Sequence, residues 1–209
     1  MALDDLLAQG IAELGLSVPA ATQHRMRDYL KLIEKWNRTF SLTAIRSPED
    51  MLRRHLLDSL AISPYVSARF VLDVGSGAGL PGIPLAMMWP QSRITLLDSN
   101  QKKAAFMRQA IIELGLANAT VVCDRIETWR SEAGFDLIVS RAFSDLPKFI
   151  EAAGRLCAAD GVMAAMKGAY PDDELARMPP GFAVERVVSL SIPGLNEARH
   201  LVLLKPVVH

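Results

Sequence analysis

The run Asp73-Val74-Gly75-Ser76-Gly77-Ala78-Gly79-Leu80-Pro81-Gly82 has the residue types of a ligand-holding turn. Glycines let the chain bend sharply and approach a bound molecule with no Cβ in the way. The run follows an apolar segment and opens a helical one, the setting a nucleoside-binding turn requires. A helix N-terminus behind it offers unpaired N–H groups to the polar end of a ligand. Pro81 and Pro84 suit the first helical turn, where no N–H partner is lost. Asp98 follows Gly79 by 19 residues and ends the next apolar segment. A carboxylate there can accept both hydroxyl hydrogens of a ribose. Dinucleotide turns space their glycines G-x-G-x-x-G beneath a pyrophosphate; here the spacing is G-x-G-x-G, with Asp73 directly ahead. That carboxylate repels pyrophosphate and suits a cationic amine and sulfonium, so the signs favour S-adenosylmethionine over a nicotinamide dinucleotide. Asp73, Gly75, Ser76, Gly77, Gly79, Leu80, Asp98 and Ser99 form the candidate cofactor set.

Other candidates stand elsewhere. Arg141 follows an apolar segment at the position where doubly wound sheets bind ligands, and Lys167 has the same placement. His55 and Asp58 lie three apart on one helical face and could pair. Between His24 and His55 eight basic residues (Arg25, Arg27, Lys31, Lys35, Arg38, Arg46, Arg53, Arg54) face four carboxylates. This suggests a basic platform for RNA phosphates, or a solvated helix face with pairs such as Glu34–Arg38. Trp36, at helical spacing, reads as core, and Trp89 and Trp129 carry no readable role. Cys123 and Cys157 have no metal-ligand spacing and read as small buried hydrophobes; no metal is expected.

The elements that must position these residues change character near residue 68. Before it the period is helical: Leu3, Leu6, Leu7, Ile11 and Leu14, then Met26, Tyr29, Leu30, Ile33 and Trp36. A third helix starts at Ser47 as N-cap, with Pro48 at its first position and Asp50 placed for a capping box. Its inward stripe is Met51, Leu52, Leu56, Ser59 and Leu60. After residue 68 strands are expected at 70–74, 93–97, 119–123, 135–140 and 161–166, and helices from about 83, at 101–114 and at 147–156. The strand runs lack alternation, as in parallel strands buried on both faces. Residues 183–192 and 199–204, joined through Pro193-Gly194, read as an antiparallel hairpin. The expected fold is a doubly wound α/β sheet with a C-terminal antiparallel hairpin. Residues 1–67 are expected as a helical extension of the same domain as the core, 68–209.

At 209 residues, half of them hydrophobic, the chain suits one globular domain. Twenty-three basic and 23 acidic residues balance, which excludes a wholly basic nucleic-acid protein but not a local basic face. No run of about 18 apolar residues is present to span a membrane. Without a disulfide pattern, a reducing cytoplasm is the expected location.

The chain resembles the bacterial ribosomal RNA small subunit methyltransferase G family, also called glucose-inhibited division protein B. The matching stretches are Trp36-Asn37, Leu42-Thr43-Ala44-Ile45-Arg46, Arg54-His55-Leu56-Leu57-Asp58-Ser59 and Asp73 to Pro84. They continue through Leu97-Asp98-Ser99, Arg125-Ile126-Glu127, Ser140-Arg141-Ala142, Lys167-Gly168 and Arg199-His200. Ser41 departs, standing where the family pattern leads one to expect Asn. The resemblance implies a class I methyltransferase, Rossmann-like sheet, and methyl transfer from S-adenosyl-L-methionine to N7 of a guanine in 16S ribosomal RNA. It implies that Gly75 and Leu80 line the methionine side, that Ile126 and Glu127 flank the adenine, and that Arg141 closes the pocket beside the methyl group. Arg141, with Lys167 and His55, is the candidate catalytic set.

The chemistry agrees with the residues present. Guanine N7 carries a lone pair and no proton, so attack on the methyl needs alignment rather than a general base. The sequence has neither an Asn-Pro-Pro-aromatic run nor a Pro-Cys nucleophile. The expected partner is 16S ribosomal RNA or the small subunit, bound by a monomer. A nicotinamide-dependent oxidoreductase and a non-catalytic RNA-binding assembly factor are the alternatives.

Overall fold

The computed structural model describes residues 2–143 and 145–207. Among the described residues seven strands form one sheet: β1 (Phe70–Val74), β2 (Arg93–Leu97), β3 (Ala119–Val122), β4 (Phe135–Ser140), β5 (Cys157–Lys167), β6 (Phe182–Ser189) and β7 (His200–Pro206). Their order is β3-β2-β1-β4-β5-β7-β6. The first five run parallel, while β7 is antiparallel to both β5 and β6. The expected hairpin is present, with β7 inserted beside β5 and β6 at the edge. An all-parallel dinucleotide sheet has no such reversed strand in its classic order. The chain order reverses between β1 and β4, and this switch point opens a crevice at their C-terminal ends.

Successive residues of the strands feed opposite faces. Val71, Leu137, Val139, Leu201 and Leu203 join a core shared with the N-terminal helices, and Leu72, Val74, Ile138, Val202 and Leu204 join a second core on the other face. The first face is covered by α1 (Leu3–Glu13), α2 (Ala20–Phe40), α5 (Gly82–Met88) and α6 (Gln101–Leu114). With them lies a helical stretch made of α3 (Pro48–Met51), a π-helical segment (Leu52–Leu57) and α4 (Asp58–Leu60). The second face is covered by α7 (Leu146–Ala153); the short α8 (Asp172–Leu175) packs beside it.

β1, β2, β4 and α6 have the expected bounds. α6 is closed at both ends: Asn100 Oδ1 accepts from the N–H of Lys102 and Lys103, and Gly115 takes the left-handed conformation (φ 62°). Elsewhere tertiary contacts move the boundaries. β3 ends one residue early, at Val122. β5 starts four residues early, at Cys157, because Phe135 pairs with Cys157 before the register shifts and Leu137 pairs with Val162. α7 stops at Ala153 and continues as a 3-10 turn, Gly154–Leu156; a Cβ on Gly154 would meet the Phe182 ring at 2.9 Å. β6 ends at Ser189 rather than residue 192, and β7 runs two residues further than expected.

The third helix begins as expected, with the Ser47 side chain accepting from the Asp50 N–H at 3.4 Å; the reciprocal arm of the capping box is not made. All five residues of its inward stripe are buried. The π turn is unanticipated, and six consecutive residues from His55 to Leu60 are buried. A helix enclosed on all sides must find partners for its polar side chains. Ser41 ends α2 in the left-handed conformation (φ 48°), which Asn tolerates better than Ser. Both cysteines are half-buried rather than enclosed, and burial pushes the Cys157 thiol up to about 11. Trp36 packs against Phe40 and Phe106, a core role as expected. Among the described residues no helix is long and apolar enough to cross a membrane.

Candidate active site

The glycine turn after β1 makes its bonds largely to itself and to β2. Gly75 and Ser76 donate to Leu97 O (2.8 and 3.1 Å), Gly79 and Leu80 to Ser76 O (both 2.8 Å), and Ile83 to Gly79 O (2.7 Å). Gly77 N–H donates to Asp98 Oδ2 (2.9 Å) and Gly82 N–H to Asp73 Oδ2 (2.8 Å). The expectation that a helix N-terminus offers these N–H groups to a ligand is therefore corrected: the amides of Gly75, Ser76, Gly77, Gly79, Leu80, Gly82 and Ile83 are satisfied within the protein. Positive φ at Gly75 (70°), Gly77 (61°) and Gly79 (84°) makes this folding possible. A Cβ on Gly75 would stand 2.6 Å from the Ala142 Cβ, so the turn after β1 and the turn after β4 touch.

Beside the turn lies a hollow of about 340 Å³ lined by Gly75, Asp98, Ser99, Ile126, Glu127 and Ala142, with Lys103, Asp124, Arg125 and Phe143. Asp98 is held by two backbone amides, Gly77 on Oδ2 and Asn100 on Oδ1 (2.8 Å), and Lys103 Nζ lies 3.8 Å away. Asp73 is elsewhere. It is fully buried beneath the turn, and desolvation raises its pKa to about 7 against the opposing bond from Gly82. The negative lining of the hollow comes from Asp98, Asp124 and Glu127, not from Asp73. Ser76 donates to Asp73 O (2.9 Å) and pins the turn from inside. Gly77 meets the hollow only through its bond to Asp98, while Gly79 packs on Ile83 and Leu80 is buried in the core.

A second hollow, also of about 340 Å³, adjoins the first. Ala142 and Phe143 line the first, whereas Arg141 lines the second with Arg54, Asp58, Lys167, Arg199 and His200. Four cations here face a single lining carboxylate. Asp58 Oδ2 meets Arg141 Nη1 and Asp58 Oδ1 meets Arg199 Nε, each at 3.3 Å. Arg199 Nη2 continues to Glu197 (2.9 Å), which also accepts from Arg54 (2.5 and 2.9 Å). Lys167 Nζ donates to Glu174 (2.6 Å) and to Phe143 O (3.3 Å), tying the two hollows through one loop.

The expected His55–Asp58 pair is absent. His55 Nε2 bonds Thr43 Oγ1 (2.9 Å), which anchors the strap carrying Ile45 to the second hollow's wall, while Asp58 turns to the arginines. Burial, with Arg141 adding to it, lowers the His55 pKa to about 4. His55 does not line either hollow. The expected basic platform is largely neutralised: Arg27, Lys31, Arg38, Arg53 and Arg54 each meet a carboxylate, Glu34–Arg38 among them. The basic concentration lies instead in the second hollow. Sequence reasoning gave no role to Arg199 or His200, yet antiparallel β7 starts at the edge where β4 and β5 end, a placement the expected hairpin already implied.

The reversed seventh strand, the self-bonded glycine turn and the acidic hollow beside it define a class I methyltransferase. Solved structures agree on the fold: a glycopeptide N-methyltransferase in complex with S-adenosyl-L-methionine matches with TM-score 0.62 at 12% identity, over 73% of this chain and 88% of that one. A SAM-dependent methyltransferase from Aquifex aeolicus matches with TM-score 0.57 at 17% identity, over 85% and 97%. A family model described as rRNA small subunit methyltransferase G matches residues 22–202. The chain is 54% identical over 206 residues to the ribosomal RNA small subunit methyltransferase G of Nitrosospira multiformis, covering 95% of each. It is 49% identical to that of Laribacter hongkongensis, over 98% of this chain and 99% of that one. The chain belongs to the rRNA small subunit methyltransferase G family, and its cofactor is S-adenosylmethionine.

Proposed function

We propose that this protein transfers a methyl group from S-adenosylmethionine to N7 of a guanine in 16S ribosomal RNA, as a cytoplasmic monomer without metal. Asp98 and Ser99 receive the ribose, Ile126 and Glu127 flank the adenine, and Gly75 lies along the methionine. Asp73, Ser76, Gly77, Gly79 and Leu80 shape the turn from behind. Arg141 and Lys167 face the acceptor, and His55 secures the strap through Thr43. Residues 1–67 and 68–209 form one unit in this reading, because Tyr29 of α2 donates to Ala78 O of the turn at 2.5 Å.

The observation that carries the reading is the shared wall. Arg141 and Ala142 are consecutive yet line different hollows, so a donor in one and a base in the other meet across a single turn of chain. Alignment of nucleophile, methyl and sulfur is what this transfer demands, because N7 has no proton to remove. The bound donor supplies an electrophilic methyl; the chain holds, orients and excludes water. The second hollow's cations suit an RNA substrate with phosphates and carbonyl oxygens. The test is transfer of labelled methyl to purified small subunits, followed by mapping of the modified nucleotide. Label at one guanine, at which borohydride reduction followed by aniline cleaves the RNA as it does at N7-methylguanosine, is the expected result. Label elsewhere, or none, overturns it.

A further inference from the structure

We propose that Asp58 is a positioning residue: its carboxylate, fixed inside the buried helical stretch, sets Arg141 and Arg199 side by side as one row of N–H donors for oxygen atoms of the acceptor nucleotide. The inference rests on the reading of the second hollow as the acceptor site.

The two arginines come from unrelated places, one directly after β4 and the other directly before the antiparallel β7. Two guanidinium groups in one hollow repel each other unless something negative stands between them. Asp58 is 4% exposed and divides its oxygens, Oδ2 to Arg141 and Oδ1 to Arg199, each at 3.3 Å. Arg141 spends Nη1 on the carboxylate and Ser59, while Arg199 spends Nε on the carboxylate, Nη2 on Glu197 and Nη1 on Ala198 O. Each Nη carries two N–H groups, so one N–H on each engaged Nη is left for the acceptor. Arg141 Nη1 also reaches Ser59 Oγ at 3.5 Å, so its approach is fixed from the same helical stretch. Burial works to protonate Asp58, and the two arginines oppose it; the carboxylate and its cations therefore depend on one another. A carboxylate held only to neutralise buried charge could sit against one arginine. One oxygen per arginine, across two crossovers of the sheet, fixes a spacing.

Asp58→Asn in the full-length protein tests the assignment. The expected result is a fall in kcat on small subunits of roughly 100-fold, the scale of a misplaced positioning group. Donor affinity by calorimetry stays within twofold, and the guanidinium N–H NMR signals that face Asp58, Nη1 of Arg141 and Nε of Arg199, lose their protection from exchange together. Asp58→Glu restores kcat to within about tenfold of the wild type. If Asp58→Asn does not fold, Arg199→Lys replaces it: the charge remains, the Nε contact is lost, and the same fall in kcat is expected. If the row serves phosphate, Asp58→Asn flattens the salt dependence of RNA binding; if it serves guanine O6, the slope is unchanged while kcat falls, and either supports the inference. Unchanged kcat, or loss of protection at one arginine alone, overturns it. Wild-type protein that methylates no small subunit defeats the functional reading instead, and the arginine signals still decide the clamp.

Discussion

The hollow proposed for the donor takes its shape from main chain. Three positive-φ glycines, the ends of β1 and β2, and a carboxylate held by two amides fix its outline. The hollow proposed for the acceptor takes its shape from charges on long side chains, brought together from the helical stretch, β5 and the loops before β7 and after β4. A main-chain site loses its form when a side chain is added. A side-chain site loses it when one charge is removed. In the proposed reading the difference also separates affinity from turnover: the first hollow would hold the cofactor in a preorganised turn, while the second depends on a ladder of ion pairs, Arg141–Asp58–Arg199–Glu197–Arg54.

Gly75→Val tests the comparison most severely. The added Cβ enters a left-handed position and meets Ala142. Strain and overpacking together cost about 3 kcal/mol, so calorimetry should find donor affinity lowered by roughly 100-fold. Binding within threefold of the wild type refutes the view that main chain sets this site.

Arg141→Ala strikes the other hollow, leaving Asp58 with one cation. We expect kcat/KM on small subunits to fall roughly 100-fold, with donor Kd unchanged because Arg141 lines only the acceptor side. A large rise in donor Kd would instead make Arg141 part of both sites.

Two buried groups, one behind each hollow, give opposite pH dependence. His55 has its pKa near 4 in the fold, below the ordinary 6.5. The unfolded chain thus binds the proton better, and the His55 contribution is lost as pH falls through that window. Asp73 has its pKa near 7, above the ordinary 3.8. The folded chain keeps its proton longer, so the Asp73 contribution is lost as pH rises through that window. Between pH 4 and 6.5 the slopes oppose, each at most about 1.4 kcal/mol per pH unit. Urea midpoints of His55→Gln should therefore fall with pH across this range, and those of Asp73→Asn should rise. Parallel curves would show that neither group carries the dependence.

The mildest effect is expected from Arg54→Ala. This half-buried arginine pairs with the exposed Glu197, so thermal stability should hold. If Arg54 meets an RNA phosphate, the log–log salt slope of small-subunit binding falls by about one. An unchanged slope removes Arg54 from the acceptor surface.

What was legible in the sequence was local. The bounds of β1, β2, β4 and α6 follow from apolar runs, Asn100 and Gly115, and the Gly75–Gly79 turn announces itself by spacing. Asp73 shows where adjacency misleads: it precedes the turn in sequence, yet its side chain is buried against Gly82. The sign argument drawn from Asp73 therefore fails, and the carboxylates that line the hollow are Asp98, Asp124 and Glu127, beside Lys103 and Arg125. Counting charges between His24 and His55 likewise ignored Asp4 and Glu197, which reach Arg27 and Arg54 across the fold. No periodicity signals the π turn, and none signals that Asp58 looks past His55 to an arginine that enters with the last strand.

The Tyr29–Ala78 bond joins the helical layer to the glycine turn from a fully buried hydroxyl. Any molecule that favours the ordered turn must, by linkage, also favour the seating of α2. Cofactor occupancy should therefore register as slower amide exchange in a helix that never touches it.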